Sequence, residues 1–260
     1  MKKTSVGNFF EDFQLGQEIR HATPRTVTAG DVALYTALYG PRFAVQSSAA
    51  FARAAGLAGP GGDAPVDDLL AFHVVFGKTV PDISLNAVAN LGYAACRFLA
   101  PVHPGDTLSA ESRVVGLKET SNRQSGIVYV RSTGRNQDGA VFVVYVRWVM
   151  VKKRDAASPA PAPHVPDLPA VVDPADLVAP AGFDRAGYDA VAAGSPHWWE
   201  DYTVGERIDH VDGMTIEEAE HQMATRLWQN TARVHFNQFS ESQGRFGRRL
   251  VYGGHVISLA

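Results

Sequence analysis

The stretch "FFEDFQLGQEI" at residues 9–19 is matched by "WWEDYTVGERI" at residues 198–208. Both read aromatic-aromatic-Glu-Asp-aromatic, with a glycine and an isoleucine following at the same spacing. At this offset of 189 positions, nine of the 38 positions from Phe9 to Gln46 are identical. Average residue usage would give roughly two or three identities by chance. The chain therefore carries the same unit twice.

Bulk composition places the chain among ordinary globular proteins. Its 260 residues are 45% hydrophobic and 20% charged, which suits two domains of common size. The net charge of -3 does not favour binding to nucleic acid or to an anionic membrane surface. The longest apolar runs are too short to span a bilayer, and the N-terminal segment has no apolar core typical of a secretory signal. We expect a cytoplasmic protein with no nucleic-acid or membrane partner.

The first unit contains one apolar helix followed by strands. The segment "VDDLLAFHVVFGKTV" at residues 66–80 is apolar on nearly every face, which is typical of a buried helix. Four segments rich in β-branched and aromatic residues follow at 91–100, 107–119, 125–135 and 140–151, separated by turn residues. An antiparallel sheet curled around the helix would bury both apolar surfaces, so we predict an α+β fold.

Composition also divides the chain into segments. Residues 1–153 form the first unit, and residues 198–260 form the second. Between them, residues 154–197 carry seven prolines from Pro159 to Pro180, which is typical of a linker. The stretch "RRLVYGGHVISLA" at 248–260 resembles the start of the buried helix, and no strand-rich segment follows it. We therefore expect the second copy to be incomplete at its C-terminal side.

The loop after the first helix of each unit differs between the copies. The second unit has "QNTARVHFNQF" where the first has "GPRFAVQSSAA". In this alignment Asn230 matches Pro41 and His235 matches Gln46. Histidine is the side chain best suited to exchange protons near neutral pH, and an amide can orient a water molecule. The pattern predicts chemistry in the second unit and a degenerate site in the first.

These features resemble a known family. A buried helix wrapped by an antiparallel sheet is typical of the hot-dog fold, and two such units in one chain resemble the MaoC-type R-specific enoyl-CoA hydratases. The motif of that family is Asp-x-Asn-Pro-(Leu/Ile)-His. In "NTARVH", His235 takes the histidine place and Asn230 the aspartate place, while Ala232 and Arg233 replace Asn-Pro. The segment "GRFGRRLVYGGHVISLA" at 244–260 closely resembles the sequences of the mesaconyl-CoA hydratases.

The resemblance implies a double hot-dog fold and a hydro-lyase activity on a branched dicarboxylic enoyl-CoA, interconverting mesaconyl-CoA and β-methylmalyl-CoA. Coenzyme A would enter as part of the substrate, with no separate cofactor and no metal, and the first unit would form a wall of the acyl-CoA cavity. The protein is expected to form a homo-oligomer. His235 would exchange the proton, Asn230 would hold the water, and Gly253 or Gly254 would polarise the thioester carbonyl.

The sequence leaves open which group transfers the second proton and which cations bind the substrate. Because an amide cannot act as a carboxylate base, either His235 carries both proton transfers, or Glu241 or the carboxylate of the substrate assists. Guanidinium groups suit a carboxylate or the phosphates of CoA. The sequence offers four arginines near the motif for this role: Arg233, Arg245, Arg248 and Arg249.

Other functions fit parts of the same pattern. Another R-specific enoyl-CoA hydratase would share the motif but take a different acyl chain. A hot-dog acyl-CoA thioesterase would hydrolyse the thioester, although such enzymes usually rely on a carboxylate beside the thioester, and this loop offers Asn230 and His235 instead. A non-catalytic acyl-CoA-binding protein would need the cavity but no proton transfer.

Overall fold

An antiparallel sheet dominates the computed structural model, which describes residues 5–244 and 246–260 of the chain. The strands are β1 (Glu18–Arg20), β2 (Arg25–Thr26), β3 (Ala87–Phe98), β4 (Thr107–Glu119), β5 (Ser125–Arg135) and β6 (Val141–Lys152). Their order is β1-β4-β5-β6-β3, and β2 also pairs with β4. Along β4 the buried residues Leu108, Ala110 and Val114 alternate with more exposed neighbours, so one face of the sheet packs inward. The predicted antiparallel sheet is confirmed, but only β4, β5 and β6 follow one another as a meander, because β3 pairs with β6 and not with β4.

Helix α4 is the buried central helix. The helices are α1 (Ala29–Tyr39), α2 (Ala44–Ser47), α3 (Ala49–Ala54), α4 (Asp68–Thr79), α5 (Ala190–Ala193), α6 (Glu218–Leu227), α7 (Arg233–Phe236), α8 (Gln238–Glu241) and α9 (Gly253–Leu259). The Asp67 carboxylate caps α4 by accepting a hydrogen bond of 2.8 Å from the Leu69 N–H. Every residue from Leu70 to Thr79 is buried. The helix packs against β4 and β5, as its apolar sequence predicts.

The two repeats have the same order of local structure. Helices α1 and α6 begin at matching positions, and so do α2 and α7 and α3 and α8. The aromatic-Glu-Asp motif forms one turn of 3-10 helix in each copy, at Phe10–Asp12 and Trp199–Asp201. In each turn the aspartate side chain accepts a hydrogen bond from the backbone N–H of the residue three positions before it. The distance is 2.9 Å from Phe9 and 2.7 Å from Trp198. The sequence repeat is therefore also a structural repeat.

The second repeat contributes helices and, within the described residues, no strand. In the first repeat β1 pairs with β4, whereas the matching positions 207–209 have no strand partner and lie exposed. A strand needs a neighbour for its backbone hydrogen bonds, and the described part of the second repeat offers none. Its helices pack on the first repeat instead. The division at residues 153 and 197, and the incomplete second copy, stay predictions.

One hydrophobic core runs through both repeats. Trp228 is buried and stacks on Tyr39, with ring centroids 5.7 Å apart, and its ring centroid lies 4.1 Å from that of His73 on α4. Tyr39 and Trp228 occupy matching positions of the two copies. Direct contact between equivalent positions is typical of an approximate two-fold axis. The second repeat therefore docks onto the first through the C-terminal ends of α1 and α6.

The proline-rich segment between the repeats follows the surface of the first unit. The backbone of His164 exchanges two hydrogen bonds with that of Leu117 on β4, at 2.7 and 2.8 Å. Farther along, the ring of Tyr188 packs edge-on against Phe51 of α3, with centroids 5.1 Å apart. These contacts attach the predicted linker to the first unit at two places.

Candidate active site

A cavity of about 400 Å³ lies between the edge strand β3 and the second repeat. The first repeat supplies β3, the end of α4 and part of β6, and the second supplies the α6–α7 loop and the start of α9. The side chains used below are Phe76, Asn90, Arg147, Asn230, His235 and Gly253, all of which line it. Ligand cavities often lie between structural units, as this one does. Three of the four predicted catalytic residues therefore meet at one cavity.

His235 lies in α7 with its ring half-buried. Its Nδ1 is 2.9 Å from the backbone oxygen of Leu250. Because a carbonyl oxygen can only accept, Nδ1 must carry the hydrogen, and in the neutral ring Nε2 keeps a lone pair. Burial lowers the pKa of His235 below its ordinary value, against smaller opposing effects of the Leu250 hydrogen bond and the charge of Glu241. The ring is therefore neutral at neutral pH and able to accept a proton at Nε2.

Asn230 follows α6 and is almost fully buried. Its Oδ1 accepts a hydrogen bond of 3.2 Å from the Ala232 N–H, which fixes the orientation of the amide. Its Nδ2 has no hydrogen-bond partner among the described residues. A buried donor without a partner is costly, so such a group is typical of a site that binds an oxygen atom. The amide can therefore donate to water or to a substrate oxygen.

The two predicted glycines have different surroundings. A Cβ placed on Gly253 would meet no atom within 4 Å, and this residue lines the cavity at the first position of α9. A Cβ on Gly254 would lie 2.3 Å from the Tyr252 ring and 2.5 Å from the His73 ring. Gly254 is therefore required for close packing between α9 and α4. Of the pair, Gly253 is the one whose backbone borders the cavity.

Comparison with models of known protein families matches residues 2–260 to the family described as mesaconyl-CoA hydratase. The chain belongs to this family. Two curated relatives are each 63% identical over 258 residues, which is 99% of this chain. They are the beta-methylmalyl-CoA dehydratase of Chloroflexus aurantiacus, of which 72% is covered, and the mesaconyl-CoA hydratase of Cereibacter sphaeroides, of which 73% is covered.

Solved structures confirm the predicted double hot-dog fold. A MaoC domain dehydratase from Chloroflexus aurantiacus is 62% identical, with a TM-score of 0.93 over 100% of this chain and 73% of its own. A conserved hypothetical protein of Mycobacterium tuberculosis with a double hotdog fold is 24% identical, with a TM-score of 0.72 over 98% of this chain and 75% of its own. The second likeness concerns the fold alone.

In this member of the mesaconyl-CoA hydratase family, the three predicted arginines that the structure describes do not line the His235 cavity. Arg248 is exposed, and its guanidinium is 2.9 Å from the Glu218 carboxylate on α6. Arg249 pairs with the same carboxylate at 3.4 Å. Arg233 lines a neighbouring cavity. Arg245 lies outside the described residues. The three described arginines are therefore not brought to the cavity that holds His235, and their part in substrate binding stays a prediction.

Sequence reasoning missed Arg147, which does line the cavity. It lies in β6 and is fully buried. Its Nη2 donates to the Thr79 hydroxyl at 2.9 Å and to the Ser84 hydroxyl at 3.3 Å, and its guanidinium lies 4.4 Å from the Phe76 ring centroid. The available signal was a charged residue within the otherwise apolar run "FVVYVRWVMV".

Two buried histidines, His73 and His221, contact Tyr252, which lines the cavity. His221 accepts a hydrogen bond of 2.9 Å from the Tyr252 N–H, which holds α6 against the start of α9. The Nε2 atom of His73 on α4 lies 3.0 Å from the Ser258 hydroxyl on α9. Burial lowers the pKa of His73 to about 3, and burial together with the nearby His235 lowers the pKa of His221 to about 4. These rings are neutral in the folded protein at neutral pH.

We expect the protein to lose stability when the pH falls below about 6.5. In the unfolded chain histidine titrates near pH 6.5. Between that value and the pKa of His73, the unfolded state binds a proton that the folded state does not, so the free energy of unfolding falls with falling pH. The slope from His73 is up to about 1.4 kcal/mol per pH unit. Urea unfolding at pH 7 and pH 5 measures it.

A pair of variants identifies the source of this pH dependence. His73→Gln should reduce the difference in stability between pH 7 and pH 5, whatever its effect at pH 7. His210→Gln should leave that difference unchanged, because His210 is exposed. An equal pH dependence in wild type and His73→Gln would show that His73 is not the group responsible.

Proposed function

We propose that this chain catalyses the reversible hydration of mesaconyl-CoA to β-methylmalyl-CoA. Membership of the mesaconyl-CoA hydratase family and 63% identity to the two curated relatives support this reaction. The single structural observation that carries it is the cavity that joins Asn230 with His235, whose Nδ1–H is held by a backbone oxygen. This arrangement leaves a neutral imidazole nitrogen available beside a buried amide donor.

In the proposed mechanism, Nε2 of His235 takes a proton from a water molecule that the Asn230 amide orients. The water oxygen bonds to the carbon β to the thioester. The electron pair of the C=C moves toward the thioester oxygen, where backbone N–H groups near Gly253 stabilise the developing charge. The carbonyl then re-forms as the α-carbon takes a proton. Dehydration follows the same steps in reverse.

We assign both proton transfers to His235. The alternative acid, Glu241, borders a neighbouring cavity with Arg233 rather than the one that holds His235. Its carboxylate accepts a hydrogen bond of 3.0 Å from Ser240 and acts on His235 through its charge. The proton taken from water would therefore return to the α-carbon from the same imidazole, which needs no second titrating group.

The partners follow from the substrate. Coenzyme A enters with the acyl group, and the mechanism above uses no other cofactor. No helix in the described part of the chain combines the length and the apolar content that crossing a bilayer requires. A homo-oligomer, a cytoplasmic location and the lack of a nucleic-acid partner stay predictions.

The assay that tests this function uses purified chain and mesaconyl-CoA. The expected result is a loss of the ultraviolet absorbance of the conjugated enoyl thioester without release of free thiol. Thiol release, followed with a thiol reagent, would support a thioesterase instead. Binding of the ester with neither change would support a non-catalytic acyl-CoA-binding protein. A faster reaction with a simple unbranched enoyl-CoA would favour a different R-specific hydratase.

A further inference from the structure

Arg147 is a buried cation without an acidic partner. Its side chain is fully buried, and no Asp or Glu of the described residues lies within ion-pair distance of it. Its polar contacts are the neutral groups of Thr79, Ser84 and Asn90, the last at 3.5 Å. Its Nε has no hydrogen-bond partner among the described residues. Buried charges are usually paired, so this guanidinium is unusual.

The position of Arg147 connects this unpaired charge to the active-site cavity. Arg147 is one of the residues that line the cavity with Asn230 and His235. Of the described residues lining this cavity, Arg147 is the only lysine, arginine, aspartate or glutamate. Most of the other lining side chains are apolar, including Phe76 and, on β3, Val88 and Leu91. An anionic end of a ligand in this cavity would therefore find one permanent positive charge.

We propose that Arg147 binds the free carboxylate of the dicarboxylic acyl group and so sets the acyl specificity of the site. This inference rests on the proposed function for the presence of such a carboxylate. The Nε–H is unengaged and can donate one charge-assisted hydrogen bond to a carboxylate oxygen. The Asn90 amide on β3 borders the same space and can donate a further hydrogen bond. The first repeat thus supplies a specificity residue, and the second supplies the proton chemistry.

A purely structural role for Arg147 makes a different prediction. Through Thr79, Ser84 and the Phe76 ring, the guanidinium also fastens the end of α4 to β6. If this were its whole role, a substitution would weaken binding of every acyl-CoA to the same extent. A carboxylate subsite instead predicts a change in the ratio between acidic and neutral acyl chains.

The test compares binding of succinyl-CoA and butyryl-CoA, which differ by a carboxylate in place of a methyl group. Neither has a C=C, so neither is hydrated. We expect wild type to bind succinyl-CoA more tightly, and Arg147→Met to lower the ratio of the two affinities at least about 30-fold. Arg147→Lys, which keeps the charge but loses the planar fork, should retain part of the ratio. Arg113→Met replaces an exposed arginine of β4 and should retain all of it.

The wild-type protein alone can overturn the inference. Equal affinity for succinyl-CoA and butyryl-CoA would do so even if Arg147→Met fails to fold. An equal loss for both esters in a folded Arg147→Met, monitored by its thermal unfolding, would leave Arg147 a structural role only. Hydration of mesaconyl-CoA without an Arg147-dependent ratio would remove the subsite but keep the proposed function. An Arg147-dependent ratio without hydration would keep the subsite and remove the proposed reaction.

Discussion

We expect His235→Ala to lower the turnover of mesaconyl-CoA by about 100- to 10,000-fold while the affinity for the CoA ester changes little. A general base acts mainly on the transition state, and its removal typically costs this much in rate. The Nδ1–H of His235 is held at 2.9 Å by the Leu250 oxygen, so the ring is oriented before substrate binds. Turnover within about tenfold of wild type would exclude His235 as the base.

The first repeat offers a matched control. Gln46 occupies the position of His235 in the other copy and borders a smaller cavity of about 220 Å³ beside Asp68. Gln46→Ala should leave turnover nearly unchanged, because the first copy lacks a proton-transferring group at this position. A loss of turnover as severe as that of His235→Ala would contradict the assignment of the proton transfer to the second repeat.

The pH dependence of wild-type activity tests the same assignment. Burial lowers the pKa of His235, so the ring stays neutral from neutral pH down to below its ordinary value of 6.5. For hydration, kcat/KM should be constant near neutral pH and fall only at more acidic pH, where protonation removes the base. An acidic limb centred above pH 7 would contradict the lowered pKa.

We expect Gly77→Ala to loosen the attachment of the second repeat to the first. A Cβ on Gly77 of α4 would lie 1.8 Å from the backbone oxygen of Trp228. This contact is with backbone, so the α6–α7 segment would have to move as a unit. Overpacking of a core typically costs about 1–3 kcal/mol, and a clash with backbone belongs at the upper end of that range. This is a large share of a domain stability of about 5–15 kcal/mol.

Thermal unfolding and limited proteolysis measure this effect. Gly77→Ala should unfold at a lower temperature and be cleaved faster within residues 198–260 than wild type. Gly30→Ala is the control, since Gly30 is also helical and its added Cβ would lie at an ordinary 3.5 Å from Thr28. That variant should be neutral or slightly stabilised, because alanine favours a helix more than glycine does. Equal behaviour of the two variants would show that the contact at Gly77 does not hold the repeats together.

The central helix and the repeat could be predicted because both depend on neighbouring residues. Apolar side chains on nearly every face of residues 69–76 are typical of a buried helix, and the structure buries nearly all of them. The Glu-Asp turns at Phe10–Asp12 and Trp199–Asp201 form from contacts within four residues. The central helix and these turns depend on residues close together in the sequence, so they could be predicted without the rest of the fold.

The polar pair of the site was found by comparing the copies with each other. Asn230 and His235 are five positions apart, and the α6–α7 loop together with α7 brings both to the cavity. The roles of the two glycines could not be separated in the same way. Gly254 is needed because the His73 ring passes beside it, and His73 belongs to the other repeat. Gly253 borders the cavity only because α9 docks with that end toward β3.

The sequence by itself determined the helix, the strands and the duplication, since the periodicity of side chains along a segment reports which of its faces are buried. It did not determine which cation lines the cavity that holds His235. Nearness in sequence pointed to Arg248 and Arg249, which pair with Glu218 instead. That Arg147 lines the cavity is visible only in the tertiary structure, because its place depends on the pairing of β6 with β3 and on docking of the second repeat across α4. These contacts join residues far apart in the chain, and a local sequence pattern does not show which distant residues pack against a segment.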